Sequence, residues 1–218
     1  MRTANALSRR VQQLSLEMTK TILAKRLSWR AICQKGYKFM SEELLQNTNL
    51  CIGLAPVVGV APKVLILGSM PGRASIDAKQ YYAHRANRFW PLMAKLCPNE
   101  SDRLLSPNYD DRLEGLKRSH VALWDTIGQC ERTGSLDSAI RAVVPNPIGD
   151  LLKAQPTIER ILLNGRKSEA IFKRYLATAI ASECPHIKVY GVPSTSPANA
   201  SMKLDDLLVA WSDAWPKA

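Results

Sequence analysis

A cluster of aromatic and amide side chains lies between Tyr81 and Trp90, in the segment YYAHRANRFW. Aromatic rings can stack on a planar ligand, and Asn and His side chains can hydrogen-bond the edge of that ligand or hold a water molecule. A purely structural interpretation is also open, in which the same rings pack beneath an ordinary strand, turn and helix. The spacing alone favours neither interpretation.

A glycine-rich turn comes shortly before this cluster. The apolar run Val64–Leu67 is short and rich in branched residues, so it predicts a buried strand, and the turn GSMPG at residues 68–72 follows at once. Glycine allows a sharp turn or a close approach of the backbone to a ligand. Because open α/β sheets bind ligands beyond the carboxyl ends of their strands, we expect Gly68, Pro71 and Gly72 to contact a ligand.

Strands and helices alternate along the chain. Apolar runs predict strands over residues 64–67, 121–124, 158–163 and 187–190, with helical patterns between them. This alternation predicts an α/β fold, a three-layer sandwich with a central four-stranded parallel sheet between helices. Four polar loops should then meet at one edge of the sheet and form a ligand site: residues 68–72, 125–134, 164–167 and 193–199.

Helical patterns occupy the segments between and after these strands. One helix is predicted to begin near Asn87 and to end near Cys97. A longer amphipathic helix should follow Asn164 and run to about Ile180. Its inward residues should be Ile171, Tyr175, Leu176 and Ala179, and those of the last helix Leu204, Leu207, Leu208, Trp211 and Trp215.

The first fifty residues differ in composition from the rest of the chain. Residues 1–50 carry nine basic and three acidic side chains, a net charge of +6, with apolar residues at helical spacing. We therefore divide the chain into a basic, helical extension, 1–50, and an α/β domain, 51–218. The extension could pack on the domain, contact phosphates, or serve as an organelle transit peptide.

The charge of the whole chain predicts a partner. The 218 residues carry a net charge of +11, which favours a polyanion and above all nucleic acid. Charge alone would equally suit a basic protein with no such partner. We expect the chain to be a monomer.

The cysteines predict neither a metal site nor a disulfide framework. They stand at positions 33, 51, 97, 130 and 184, and no two form a Cys-x-x-Cys pair. We therefore expect no metal, no iron–sulfur cluster and no other cofactor. Scattered cysteines suit a reducing compartment such as the bacterial cytoplasm, with use at the nucleoid. No apolar run approaches the ~18 residues of a membrane span, and no secretory signal is recognisable.

Five segments, in order, resemble those of a known family. The segments LILGSMPG, YYAHRANRFW, LWDTIGQCERTGSLDSAI, LLNGRKS and VPSTSPANA are similar to the hypoxanthine-DNA glycosylase branch of the uracil-DNA glycosylase superfamily. The resemblance covers about Gly53 to Trp211 and leaves the extension outside. It implies a central parallel sheet between helices. It also implies an enzyme of base excision repair that hydrolyses hypoxanthine or uracil from DNA. The two main motif cores contain no lysine except Lys79, so we expect a monofunctional enzyme instead of a Schiff-base lyase.

The resemblance also implies roles for individual residues. In the first motif of the superfamily an Asn or Asp often positions the attacking water, and Met70 occupies that place here. In the hypoxanthine branch an Asn before Phe-Trp takes over, which implies Asn87. The chain has His84-Arg85 where family members usually have His-Pro. The second motif corresponds to Ser-Thr-Ser at residues 194–196.

The chemistry of the bond indicates what each group would do. Cleavage of an N-glycosidic bond places positive charge on the sugar and negative charge on the departing base. We expect Tyr82 to stack on a base flipped out of DNA. Asn87 could direct the attacking water, since an amide accepts a hydrogen bond without titrating near neutrality, or it could only cap the next helix. Backbone N–H groups of Ser69 and Met70 could meet the base.

Further polar residues are candidates to contact the base. His84 could donate to the base or to a phosphate, although a loop histidine is more often a local hydrogen-bond partner. Asp125 could accept from a base N–H or hold the water, and it could equally pair with Arg132. Asn164 could bind the ligand or only shape the turn at the end of its strand.

The loop after the fourth strand is the candidate DNA contact. Ser194, Thr195 and Ser196 offer hydroxyl and N–H groups for the phosphates that flank a flipped nucleotide. Pro197 and Asn199 could enter the gap that the nucleotide leaves in the duplex.

Two other functions remain compatible with these residues. The first is a protein that binds nucleic acid without cleaving it, with Met70 and Arg85 marking a decayed site. The second is a small-molecule hydrolase or transferase that uses the same edge of the sheet. A glycosylase should release the base. A non-catalytic binder should bind DNA in a salt-dependent way without release, and a small-molecule enzyme should show no affinity for DNA.

Overall fold

The computed structural model describes residues 49–134 and 137–216. The predicted helical extension lies outside these residues except for its last two, and Leu50 already belongs to the first strand. Strands β1 to β7 comprise Leu50–Ile52, Val64–Gly68, Val121–Asp125, Ile127–Glu131, Arg141–Pro145, Arg160–Asn164 and Lys188–Val192.

Helices separate and follow these strands. Helices α1 to α8 comprise Arg73–Ala78, Phe89–Leu96, Ser101–Leu104, Tyr109–Arg118, Ile148–Ala154, Arg166–Tyr175, Ala177–Glu183 and Leu204–Ser212. Short 3-10 turns lie at Pro98–Glu100 and Asp137–Ala139. Within the described ranges, every helix is too short or too polar to cross a membrane.

The predicted parallel sheet is confirmed. Strands β3, β2, β6 and β7 lie side by side in that order, and each neighbouring pair is parallel. Every residue of β2 and β3 is buried. Helices flank the sheet, β2 lies between β3 and β6, and the outer side of β3 is covered at Leu123 by a bridge to Val57. The register places Gly68 beside Asp125 and Asn164 beside Val192, so polar residues meet at the carboxyl edge.

A second, antiparallel sheet was not predicted. Strand β4 pairs with β1 on one side and with β5 on the other, so the segment predicted as a polar loop, 125–134, contains a strand. The pairing of β4 with β5 shifts register twice, at Gly128 and Cys130, which lie between paired residues. Such irregularities disrupt the alternation of inward and outward side chains, and this alternation is the signal by which a strand is recognised in a sequence.

The prediction of a single long helix after Asn164 is wrong, because two shorter helices occupy that segment. The chain forms α6 and α7 with a break at Leu176, whose φ of −123° is not helical. The break changes the phase of the apolar face. Tyr175 and Ala179 are therefore exposed, whereas Phe172 and Ile180 are buried in their place.

The last helix holds the loop that follows β7. Leu207 and Trp211 of α8 are fully buried, as predicted, while Trp215 is half-buried. The indole Nε1 of Trp211 donates to the carbonyl oxygen of Pro193 at 3.0 Å. One side chain therefore serves both the core and the start of a candidate DNA-contacting loop.

A buried hydroxyl joins α6 to the central strand. The Oγ atom of Ser168, which is fully buried, donates to the carbonyl oxygen of Leu67 at 2.7 Å. Ser212 makes a bond of the same length to the carbonyl oxygen of Leu208, but on an exposed face of α8.

We expect Ser168→Ala to lower the free energy of unfolding by about 1 kcal/mol, because a buried hydrogen bond is lost without replacement by water. Ser212→Ala is the matched control and should change it by less than about 0.5 kcal/mol, since water can satisfy Leu208. Chemical denaturation of both variants measures the difference. Equal effects would contradict the assignment of Ser168 as a link between helix and sheet.

Candidate active site

The glycine-rich turn after β2 is tied to the residues that follow β3. The carbonyl oxygen of Gly68 accepts from the N–H and the hydroxyl of Thr126, at 2.8 and 3.2 Å. The carbonyl oxygen of Ser69 accepts from the N–H of Ile127 at 3.0 Å. In a trans peptide the N–H points opposite to the preceding carbonyl group, so the N–H of Ser69 points away from Thr126 and the N–H of Met70 points away from Ile127.

Gly68 is needed because two functional groups approach its backbone. An ideal Cβ at Gly68 would lie 2.3 Å from Oδ1 of Asp125 and 3.3 Å from the hydroxyl oxygen of Tyr82. Gly72 differs, since nothing lies within 4 Å of an ideal Cβ there and its φ of −67° suits any residue. The protein itself therefore requires glycine at position 68 and not at position 72.

The middle of the turn is fixed from the core side. The side chain of Met70 is buried against Ile127, Ile140 and Ile171, so only the backbone of Met70 is placed to meet a ligand. The carbonyl oxygen of Pro71 accepts from Nη2 of Arg132 at 2.6 Å. Arg132 is itself buried, and its Nε and Nη1 atoms make no hydrogen bond to Asp125, so the pair that the sequence allowed is not formed.

Tyr82 lies at the centre of the aromatic cluster. Its ring stacks on that of Phe89, with centroids 3.8 Å apart and planes 17° from parallel. Its backbone has a φ of +54°, which is rare for a bulky residue and persists only when its surroundings fix it. Burial of the hydroxyl, and secondly the charge of Asp125, raise the pKa of Tyr82 against an opposing hydrogen bond from Asn164. Tyr82 is therefore neutral at physiological pH.

Asn164 joins Tyr82 to the loop after β7. Its Nδ2 atom donates to the hydroxyl oxygen of Tyr82 at 3.0 Å and to Oγ1 of Thr195 at 3.1 Å. Its Oδ1 atom accepts from the N–H of Thr195 at 3.0 Å. Both amide hydrogens are thus in use, so Asn164 positions its neighbours instead of offering an N–H to a ligand.

The loop after β7 is built by its own polar groups. Thr195 is fully buried, so its side chain fits a positioning role better than the predicted phosphate contact. Oγ of Ser194 accepts from the N–H of Ser196, and Nδ2 of Asn199 donates to the carbonyl oxygen of Ser194. These three residues and Pro197 are half-buried at the surface, and their contacts with DNA stay predictions.

Asn87 lies two residues before Phe89, where α2 begins, and Arg88 is the N-cap residue. The Oδ1 atom of Asn87 accepts from the N–H of Phe89 at 3.0 Å, so Asn87 closes the start of the helix from one residue before the N-cap position that the sequence left open as an alternative. A carbonyl oxygen has two lone pairs, so this bond leaves capacity for a water molecule. Tyr82, His84 and Asn87 line one cavity of about 380 Å³, with the exposed His84 at its rim.

Arg88 is a residue that the sequence did not single out. Its N–H donates to the carbonyl oxygen of Thr195 at 3.1 Å. Its guanidinium group donates to the carbonyl oxygens of Ser196, Asn199 and Met202. An arginine between Asn and Phe carries no signal of such contacts, because all its acceptors are backbone atoms more than a hundred residues away.

The structure thus brings most of the predicted residues together. Gly68, Tyr82, Asp125 and Asn164 meet at the carboxyl edge of the sheet, around the hydroxyl of Tyr82. Asn87 and His84 adjoin this group through the cavity that they share with Tyr82. The loop of residues 193–199 joins it through Asn164 and Arg88. No group of three or more His, Cys, Asp or Glu residues in the described part of the chain could hold a metal ion.

Comparisons with known proteins identify a family for the chain. A family model described as the uracil DNA glycosylase superfamily matches residues 55–215. A hypoxanthine DNA glycosylase from Methanosarcina barkeri is 39% identical over 116 residues, which are 53% of this chain and 72% of that protein. A hypoxanthine DNA glycosylase from Methanosarcina acetivorans is 34% identical over 116 residues, which are again 53% of this chain and 72% of that protein.

A solved structure has the same fold. It is a solution NMR structure of a protein from Methanosarcina acetivorans, studied as a candidate uracil DNA glycosylase. The two chains are 27% identical and superpose with a TM-score of 0.61. The match covers 76% of this chain and 98% of the other.

We expect Gly68→Ala to lower the free energy of unfolding by about 1–3 kcal/mol, because the new methyl group overlaps the carboxylate of Asp125. Gly72→Ala is the matched control and should stay within about 0.5 kcal/mol, since the lost flexibility of the unfolded chain offsets a poorer helix cap. Urea denaturation of both variants gives the comparison. A stable Gly68→Ala protein would contradict the close approach described above.

We expect Arg88→Ala to make the loop of residues 193–202 more mobile. The half-buried carbonyl groups of Ser196, Asn199 and Met202 would each lose their charged hydrogen-bond donor. Amide hydrogen exchange in that loop should accelerate by at least about tenfold, while exchange in β2 stays unchanged. Arg85→Ala, a change at an exposed arginine three residues earlier, is the control. Unchanged exchange in the Arg88 variant would show that the loop is held by other contacts.

Proposed function

The chain belongs to the uracil DNA glycosylase superfamily, and on that premise we propose that it removes deaminated bases from DNA by hydrolysing the N-glycosidic bond. Hypoxanthine is the proposed main substrate, because both relatives, 39% and 34% identical to this chain, carry the name hypoxanthine DNA glycosylase. Uracil is proposed as a second substrate on the strength of the superfamily. The reaction would begin base excision repair.

The observation that carries this proposal is the fixed ring of Tyr82. Phe89 supports one face of the ring, and Asn164 holds its hydroxyl at the carboxyl edge of the sheet. A ring supported in this way offers a ready surface for a base that has left the helical stack, and such stacking contributes ~1–3 kcal/mol per base. That contribution offsets part of the few kcal/mol that extrusion of a base costs.

The turn at residues 68–72 is proposed to stabilise the departing base. Its peptide planes are fixed by Thr126 and Ile127, so the N–H groups of Ser69 and Met70 keep one direction. Donors that are fixed before the reaction stabilise a developing negative charge without reorganisation. The buried carboxylate of Asp125 is proposed to accept a hydrogen bond from an N–H of the base.

Asn87 is proposed to direct the attacking water. Its amide cannot remove a proton, but the developing positive charge of the sugar makes a weakly activated water sufficient. The second lone pair of Oδ1 accepts from that water while the first accepts from the N–H of Phe89. The helix cap would thereby fix the direction of the water.

A panel of lesion-bearing oligonucleotides tests the proposed function. The full-length chain is incubated with DNA that contains hypoxanthine, uracil or only normal bases, and abasic sites are then cleaved with alkali. We expect strand breaks after alkali with hypoxanthine and, more slowly, with uracil. Absence of breaks with both lesions overturns the proposed function, and breaks without alkali overturn the monofunctional assignment.

We expect Asn87→Ala to lower the single-turnover rate of base release by about 100-fold, because the water is no longer directed at the sugar. Affinity for lesion-bearing DNA should change by less than about threefold. Asn87→Ser separates the two roles, since Ser keeps the helix cap but lacks the amide group. Full activity of the Ser variant would show that Asn87 only caps the helix.

A further inference from the structure

The cavity beside Asn87 has a second wall that the proposed reaction does not use. Tyr82 and Asn87 form one side of it, and residues of helices α3 and α4 with their connection form the other. This far wall contains Leu104, Leu105 and Arg112. None of their side chains makes a hydrogen bond to the turn at 68–72 or to Asn164. With a volume of about 380 Å³, the cavity lies within the ~300–1,000 Å³ typical of small-ligand sites.

The charge of the cavity suits a phosphate group. His84, Arg85 and Arg112 line it, and the lining contains no carboxylate. On α4, the carboxylate of Asp111 accepts from the hydroxyl of Ser106 at 2.8 Å. Arginine binds phosphate oxygens through paired N–H groups, so two arginines at one cavity favour an anionic ligand.

Arg112 is held in place before any ligand binds. Its Nε atom donates to the carbonyl oxygen of Ser106 at 2.6 Å, and its guanidinium carbon lies 5.6 Å from the centre of the Trp90 ring. The Trp90 ring is in turn fixed by its Nε1 bond to the carbonyl oxygen of Tyr81. The bond to Ser106 occupies only one of the three guanidinium nitrogens, so the outer two can serve a ligand.

The apolar part of the wall suits a planar base. Leu104 is fully buried, whereas Leu105 is 54% exposed beside the cationic side chains. Leu105, Pro91 and the rings of Tyr82 and Trp90 give the cavity an apolar surface next to its arginines. An aromatic base attached to a phosphate combines these two chemistries, while a free inorganic anion would use only the arginines.

We propose that this cavity binds the nucleotide next to the extruded one on the same DNA strand. The inference rests on the proposed function, because Tyr82 and Asn87 border both the cavity and the position of the extruded base. The base of the neighbour enters between Leu105 and Pro91, and its phosphate meets Arg85 and Arg112. Two adjacent nucleotides then leave the stack, which makes single-stranded or locally opened DNA the favoured substrate.

Single-stranded oligonucleotides with one altered neighbour test the proposal. Each carries hypoxanthine, and the nucleotide on its 5′ or 3′ side is either normal or an abasic spacer that keeps the phosphate. We measure the Kd by fluorescence anisotropy and the single-turnover rate of base release with the full chain. We expect the spacer on one side to weaken binding about tenfold, within the range that a stacked base contributes, and the spacer on the other side to have no effect.

Variants of the far wall identify the cavity as the cause. Arg112→Met should weaken binding and lower the slope of log Kd against log salt by about 0.7, the value for one phosphate contact in single strands. Leu105→Asp should abolish the effect of the spacer, and its exposed position protects the fold. Arg174→Met is the matched control, because this arginine also lies over an aromatic ring, 5.2 Å from the centre of Tyr175, but outside the cavity.

The outcomes separate this inference from the proposed function. If the chain releases hypoxanthine but a spacer on neither side changes the Kd, the neighbouring-nucleotide site is overturned and the glycosylase stands. The same holds if the spacer effect survives in the Leu105 variant. If no base is released while the spacer and the Arg112 effects remain, the glycosylase is overturned and the cavity is the nucleotide site of a non-catalytic DNA-binding protein.

Discussion

The candidate site depends on one amide side chain at the end of a buried strand. Asn164 bonds to the hydroxyl of Tyr82, to Oγ1 of Thr195 and to the N–H of Thr195. These groups come from two loops that the sheet alone would leave unconnected. Because they are buried, removal of the amide would leave several polar atoms without partners, and each would cost ~1–3 kcal/mol. The geometry around Tyr82 is therefore tied to the integrity of the sheet edge.

The loop after β7 is held from both ends by side chains of different helices. Trp211 of α8 bonds to Pro193 at its start, and Arg88, at the start of α2, bonds to Ser196, Asn199 and Met202 further along. Arg88 also separates Asn87 from Phe89 in the sequence. A displacement of this loop would therefore reach the proposed water-binding amide and the support of the Tyr82 ring together, and DNA that contacts the loop would act on both.

The sequence predicted those features that repeat along the chain or depend on residue type. The parallel sheet, the turn at 68–72 and the meeting of the loops followed from apolar runs and from glycine. The strand β4 escaped prediction because its bulged pairing has no regular alternation. Arg88 escaped it because its acceptors are carbonyl groups, which every residue possesses. The roles of Asn164 and Thr195 as connectors emerge only when β6 and β7 stand side by side.

The left-handed backbone of Tyr82 has a consequence for how the site meets its ligand. The unusual φ, the stacked Phe89 and the bond from Asn164 together leave the ring one orientation. Its rotational entropy is lost when the chain folds and not when a base arrives. A ligand that stacks on this ring would therefore not have to fix the ring's orientation on binding.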